Sequence, residues 1–297
     1  MRRLHLGVIA FLGTDLAHEH LRGMDDAHLP AVGLPAQTGL TEQQRRAFLN
    51  NAYREAIQMV MQRTDNKGYN YLAGIHGVPQ FLCVHHQWDW LPWHRAYLYL
   101  FEQCLQDQVP GVTIPWWDWT SAEAHANGIP PAFADATVPD GGPNPLLKAQ
   151  IQVPNPQPNW PTETSRSPQP PDSPLLPTGD DVQSCLGISF FDSDATGFSE
   201  TFAGLHDNVH VWAGGEMGLQ PFAAYDPIFW SHHCMVDRAW YLWQIQPSNA
   251  NFVWDPRQLG TALSVPGTTF TVADILDITK LGYGYASTEV VAATREG

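Results

Sequence analysis

Apolar residues return at helical spacing in four stretches of this chain, and the residues at their ends read as starts and stops. The first stretch opens at Thr41, with Glu42 to Gln44 as a first turn. Phe48, Ala52, Ile57, Val60 and Met61 follow, which predicts a helix over 41–63. The second helix is predicted over 91–108, where Pro92 is tolerated in the first turn. Its spacing sets His94, Leu98 and Phe101 on one face, with Leu105 following. The third is predicted over 199–212 and is stopped by Gly214-Gly215. The fourth is predicted over 226–246, with Asp226 as N-cap and Pro227 at the first helical position.

Elsewhere the periodicity fails. Residues 1–40 are punctuated by Gly and Pro and read as an irregular N-terminal extension. Met1-Arg2-Arg3 with the apolar run from Leu4 to Gly13 faintly resembles a secretory leader. The run is short, is broken by His5, and has no small-residue cleavage site, so we read it as ordinary chain. Residues 139–177 are Pro-rich. They read as an excursion over the surface of one domain and not as a linker, because matched histidine sets lie on either side. The expected fold class is mainly α, a bundle of four helices with long irregular loops and few short strands. The expected layout is a single domain over 1–297.

The helices carry the chemistry. His206 and His210 are four apart, so both imidazoles share a face one turn apart. His232 and His233 lie on the next helix. The doublet His85-His86 and the single His94 flank the start of the second helix, and His76 precedes them. Imidazole is the commonest transition-metal ligand, and carboxylates are scarce among these histidines. The two sets therefore predict two adjacent metals held mainly by nitrogen. Three nitrogens per ion would leave room for an external ligand, as a catalytic metal needs.

Composition narrows the partners. The chain has 297 residues, 43% of them hydrophobic, enough for a full core. A formal net charge of −15 repels phosphate backbones and anionic lipid, so neither a nucleic acid nor a membrane is an expected partner. No apolar run approaches the roughly 18–20 residues of a spanning helix. Cys83, Cys104, Cys185 and Cys234 form no CxxC pair and no disulfide framework. Nothing here separates a cytoplasmic from a secreted location.

Longer motifs make the reading specific. Trp90-Leu91-Pro92-Trp93-His94-Arg95, followed by Tyr97-Leu98-Tyr99-Leu100-Phe101-Glu102, resembles the copper A signature of tyrosinases, catechol oxidases and molluscan haemocyanins. The stretch from Asp226-Pro227-Ile228-Phe229-Trp230 to Asp237 resembles their copper B signature. Pro115-Trp116-Trp117-Asp118-Trp119 is similar to the family's Pro-x-Trp-Asp-Trp segment, and Tyr283-Gly284-Tyr285 to its closing tyrosine motif.

The resemblance implies two copper ions, copper A on His76, His85 and His94, and copper B on His206, His210 and His233. Family spacing selects His85 over His86 and His233 over His232, leaving the unchosen rings as outer or packing groups. Cys83-x-His85 resembles the arrangement that carries a Cys–His thioether in fungal and molluscan relatives. Asp237 would support a ligand or form an ion pair with Arg238. Glu102 and Arg95 would have a functional role or make helix-surface salt bridges. Tyr283 and Tyr285 read as structural.

The implied activity is that of a type-3 copper polyphenol oxidase. Such an enzyme oxidises o-diphenols to o-quinones with O2 and in some members hydroxylates monophenols. Asp207, after the first copper B ligand, and Glu200 are the candidate catalytic residues. The resemblance gives them the handling of the phenol proton, directly or through water. Val211 reads as an apolar residue at the mouth of the site. An o-aminophenol oxidase and an oxygen-carrying haemocyanin-like unit are the competing readings. A dizinc or diiron enzyme is disfavoured by the lack of carboxylate ligands. Partners would be a small phenolic substrate and, as with some bacterial relatives, a separate copper chaperone. The chain ends shortly after Tyr285, so the short form without a C-terminal shielding domain is expected.

Overall fold

The computed structural model describes residues 42–191, 196–249 and 252–285, with backbone alone for 42–50. The N-terminal extension and the leader-like run of residues 1–40 lie outside the described residues. The helices are α1 (Glu42–Met61), α2 (Tyr69–His76), α3 (Trp90–Gln106), α4 (Ala122–Asn127), α5 (Pro131–Ala134), α6 (Gly179–Leu186), α7 (Phe198–Ala213), α8 (Ile228–Gln244), α9 (Pro256–Leu259) and α10 (Val272–Ile275). Among the described residues, extended pairing is confined to three isolated β-bridges. The protein is mainly α, and loops make up most of the remainder.

The four predicted helices form as α1, α3, α7 and α8, with ends shifted by one or two residues. Asp226 starts α8 as its sequence suggests, since its carboxylate accepts the Ile228 N–H at 3.1 Å. Gly214 and Gly215 stop α7 with φ of +61° and +55°, the left-handed conformation that spares glycine a steric penalty. Helix α2 was not predicted. It has only 8 residues and begins at Gly68 with no side-chain cap, too short for a periodic pattern.

The core is unusually aromatic. Helix α3 packs on α8, α1 and α10, and α7 packs on α6. Trp90, Trp93, Trp212, Trp230, Trp240 and Trp243 are all essentially buried. Phe101 and Trp230 stack at 3.5 Å across the α3–α8 contact. The Trp117 N–H donates to the Ser231 carbonyl at 3.0 Å, tying the 115–119 segment to α8.

Residues 139–177 are bound to the helices by long-range bonds. Ser167 and Gln169 N–H groups donate to the carbonyls of Ala213 and Trp212 at the end of α7, at 3.1 and 2.8 Å. Gln152 N–H donates to the Asn70 side chain at 2.7 Å. Arg166 makes the main clamp. Its Nε lies 2.9 Å from both oxygens of Asp226, and its other nitrogens donate to the carbonyls of Phe133, Leu146 and Leu147 at 2.7–2.8 Å.

Candidate metal centre

Six histidines arrive from five places in the chain. His76 ends α2, His85 lies in the α2–α3 loop, and His94 is in the second turn of α3. His206 and His210 share a face of α7, and His233 faces them from α8. The first three form one trio, with ring centroids 5.1–5.5 Å apart. The second trio has centroids 4.6–5.6 Å apart. The trios stand back to back. His94 stacks on His233 at 4.5 Å, and His85 lies 5.7 Å from His206.

In three of the six rings the outer nitrogen is engaged. His94 Nδ1–H donates to the Trp90 carbonyl at 2.7 Å, and His210 Nδ1–H to the Met217 carbonyl at 2.7 Å. His206 Nδ1 meets Asp207 Oδ1 at 2.9 Å. A hydrogen on Nδ1 leaves Nε2 as an acceptor with a free lone pair. In the second trio the three Nε2 atoms stand 3.0, 3.3 and 3.4 Å from one another. Three ring nitrogens so close together suit a shared cation. His94 Nε2 and both nitrogens of His76 are buried with no hydrogen-bond partner, which suits the first trio in the same way. The residues present thus fit a pair of nitrogen-ligated metals, and each of the three groups of close ligand atoms found among the described residues includes at least two members of these trios.

Electrostatics keep the rings of His76, His85, His94, His210 and His233 neutral. Burial is the largest cause, and neighbouring rings add to it. His76, His94, His210 and His233 are held well below the usual imidazole range, and His85 falls to about 3. In the metal-free protein these rings stay uncharged in acid, whereas the unfolded chain takes up protons below about pH 6.5. The unfolded state then binds more protons, so stability falls as pH falls through that window. The denaturant midpoint of metal-free protein is expected to decline steadily from about pH 7 to about pH 4. A midpoint flat with pH would contradict this account.

The supporting residues divide. Asp237 pairs with Arg95 on α3 at 2.5 Å. Arg238 lies over the Trp116 ring at 5.0 Å. Tyr283 and Tyr285 both donate to Asp237 Oδ2, so the closing motif locks the back of α8. Arg95 and Glu102 are buried, which removes the helix-surface reading. Glu102 accepts the Ile114 N–H at 2.9 Å.

His232, fully buried, stacks on His206 at 5.1 Å, and neither of its nitrogens has a partner. His86, with φ of +53°, points outward and grips both candidate catalytic carboxylates. Its Nδ1 lies 2.7 Å from Glu200 Oε1 and its Nε2 3.0 Å from Asp207 Oδ2. The Glu200 contact is the main cause that raises its pKa above the ordinary imidazole value.

Sequence reasoning did not find Gln220. Its side-chain amide sits 3.0 Å from His85 Nδ1 and 3.3 Å from Cys83 Sγ. No motif marks a lone glutamine in a loop so distant in sequence.

Residues 66–246 match the family model described as the common central domain of tyrosinase. The chain belongs to the tyrosinase family. It is 30% identical over 243 residues to grixazone synthase of Streptomyces griseus, which covers 64% of this chain and 78% of that protein. It is 34% identical over 184 residues to a tyrosinase of Streptomyces glaucescens, covering 54% of this chain and 64% of that one. Among solved structures, a functional unit of octopus haemocyanin superposes with a TM-score of 0.66 at 26% identity, covering 85% of this chain and 67% of the unit. Tyrosinase-family proteins are type-3 copper proteins with a dinuclear copper site, so copper is the cofactor. Among the described residues, no helix is long and apolar enough to cross a membrane.

Proposed function

We propose that this tyrosinase-family protein is a polyphenol oxidase that converts o-diphenols to o-quinones with O2, with monophenol hydroxylation as a secondary activity. The observation that carries this reading is the pair of back-to-back histidine trios, open on one side. His76, His94, His206 and His233 are buried, while His85 and His210 are partly exposed and Val211, next to His210, is exposed. His76, His85 and His94 would hold copper A, and His206, His210 and His233 copper B. When bound, the copper pair supplies the reduction of O2 that drives two-electron oxidation of the phenol. Two o-diphenols and one O2 give two o-quinones and two waters.

The chain's own residues hold the rings and handle protons at the mouth. Glu200, Asp207 and Val211 lie along one stripe of α7. Asp207 supports His206 through Oδ1 and meets His86 through Oδ2. Glu200 Oε2 is buried with no donor, an acceptor available to a water or hydroxyl. In this reading Glu200 and Asp207 take up the phenol proton, and His86 restrains both by bridging them. Asp207→Asn keeps an oxygen for His206 but removes a charge. It is expected to raise the ratio of monophenol to diphenol oxidation several-fold, about what one surface charge supplies. An unchanged ratio would take Asp207 out of the proton step.

Cys83 is proposed to be joined to His85 by a thioether, since its Sγ, one ring nitrogen of His76 and one of His85 lie within 4.8 Å of one another. The bond forms with loss of the S–H hydrogen and a ring C–H hydrogen, the two electrons passing to O2. Denatured protein expressed with copper and air should then be lighter by two hydrogens than the sequence mass. Recovery of free Cys83 and unmodified His85 peptides would exclude the bond.

Copper analysis with oxygen uptake on a monophenol, a catechol and an o-aminophenol tests the whole reading. Turnover of the catechol with about two coppers per chain supports it. Uptake on the aminophenol alone makes the protein an o-aminophenol oxidase. Reversible O2 binding without turnover makes it a carrier like its haemocyanin relatives.

A further inference from the structure

Gln220 lies in the link between α7 and α8, yet its side chain touches the loop between α2 and α3. The two loops are clamped together. The Val78 N–H donates to the Pro221 carbonyl at 3.1 Å, and the Tyr225 hydroxyl donates to the Val78 carbonyl at 2.8 Å. Gly77 sits so close to the Pro221 carbonyl that a Cβ there would collide with it. This approach delivers the amide of Gln220 to Cys83 Sγ and His85 Nδ1 at once.

Hydrogen-bond chemistry then fixes which amide atom faces the ring. Amide oxygen and nitrogen differ in role but hardly in shape, so their placement follows the partners. A His85 that offers Nε2 to a metal carries its hydrogen on Nδ1, and a donor cannot face a donor. The amide oxygen of Gln220 must therefore accept the Nδ1–H, with the amide turned over. His94, His210 and His206 have their Nδ1 atoms held by the Trp90 and Met217 carbonyls and by Asp207. Each of these partners is in the same helix as its ring or in the turn that follows it. His85 differs, because its partner is a neutral, exposed side chain 135 residues away.

We infer that Gln220 is the positioning residue for His85, setting the ring's tautomer and plane so that the segment between the copper B helices governs loading of copper A. This rests on the proposed ligand role of His85. Partners of this kind alter metal affinity about 10–100-fold.

The test compares Gln220→Leu with Gln220→Glu in the full chain, using copper titration of metal-free protein and circular dichroism to follow the fold. Leucine removes the acceptor, and glutamate keeps one that can only accept. Gln220→Leu is expected to bind one copper as tightly as wild type and the second about 10–100-fold more weakly. Gln220→Glu should restore the second site. Equal binding of both coppers by wild type and Gln220→Leu would overturn the inference, as would a glutamate variant as weak as leucine. Should Gln220→Leu not fold, Gln220→Ala makes the same comparison with less apolar surface exposed. His85→Ala separates the two levels of the argument. If it retains two tight coppers, the ligand reading fails. If it loses one while Gln220→Leu does not, only the role of Gln220 fails.

Discussion

His233→Ala is expected to bind one copper in place of two and to lose catechol oxidation to the background rate, whereas His232→Ala keeps two coppers and most of its activity. The residues are neighbours in sequence, are equally buried, and both lie within reach of His206 and His210. Ring placement separates them. His233 Nε2 stands 3.3 and 3.4 Å from the Nε2 atoms of His206 and His210, and its ring also stacks on His94 of the other trio. His232 lies flat against the outer side of His206 at 5.1 Å, beside Trp119. Removing His233 leaves two nitrogens where three converged. The loss should exceed the about 10–100-fold effect of removing an outer partner. Removing His232 opens a cavity beside His206 and should cost stability of about 2–3 kcal/mol. Copper per chain after dialysis, with oxygen uptake on catechol, reads both outcomes. Loss of copper from His232→Ala with retention in His233→Ala would reverse the ligand assignment.

The second large effect lies far from the histidines. Arg166→Met is expected to destabilise the protein by about 3–5 kcal/mol, because it strands the buried carboxylate of Asp226. In the native protein Asp226 receives Arg166 Nε and the Ile228 N–H, and burial already pushes its carboxyl up. Phe133, Leu146 and Leu147 carbonyls lose their donors in the same step. Arg166→Lys should not rescue the fold, since one ammonium cannot span four acceptors arranged for a guanidinium. Thermal unfolding should show a fall in Tm on the order of 10 °C for either variant. A change of only a degree or two would mean that the clamp contributes little. Asp226 shows why such a residue is hard to read. Its sequence position marks it as an N-cap, and it does serve the start of α8. Its larger role depends on an arginine 60 residues earlier.

Much of the architecture was legible. The α3, α7 and α8 stretches have apolar periods long enough to be unmistakable, and glycine, proline and aspartate mark their ends. Helix α2 escaped because about two turns carry too little pattern, although its last residue, His76, is one of the six converging rings. Arg95 and Glu102 were legible only as charged residues on a helix. Burial turned them into partners of Asp237 and of the Ile114 amide.

Local order along the chain marks the candidate donors, and the resemblance to the tyrosinase family implies which ring of each doublet binds. The i, i+4 pair on α7, the two doublets and the motif spacing follow from one helix turn and from short loops, and so did the prediction of two nitrogen-rich metal sites. The tertiary structure decided how the donors are held. His86 bridges Glu200 and Asp207 across 114 and 121 residues, and Gln220 reaches Cys83 across 137. Helix propensity and caps act over a few residues and are written in neighbouring letters. The partner of a ring nitrogen depends on which loops are brought together when the core is buried, and that is settled only when the whole chain packs.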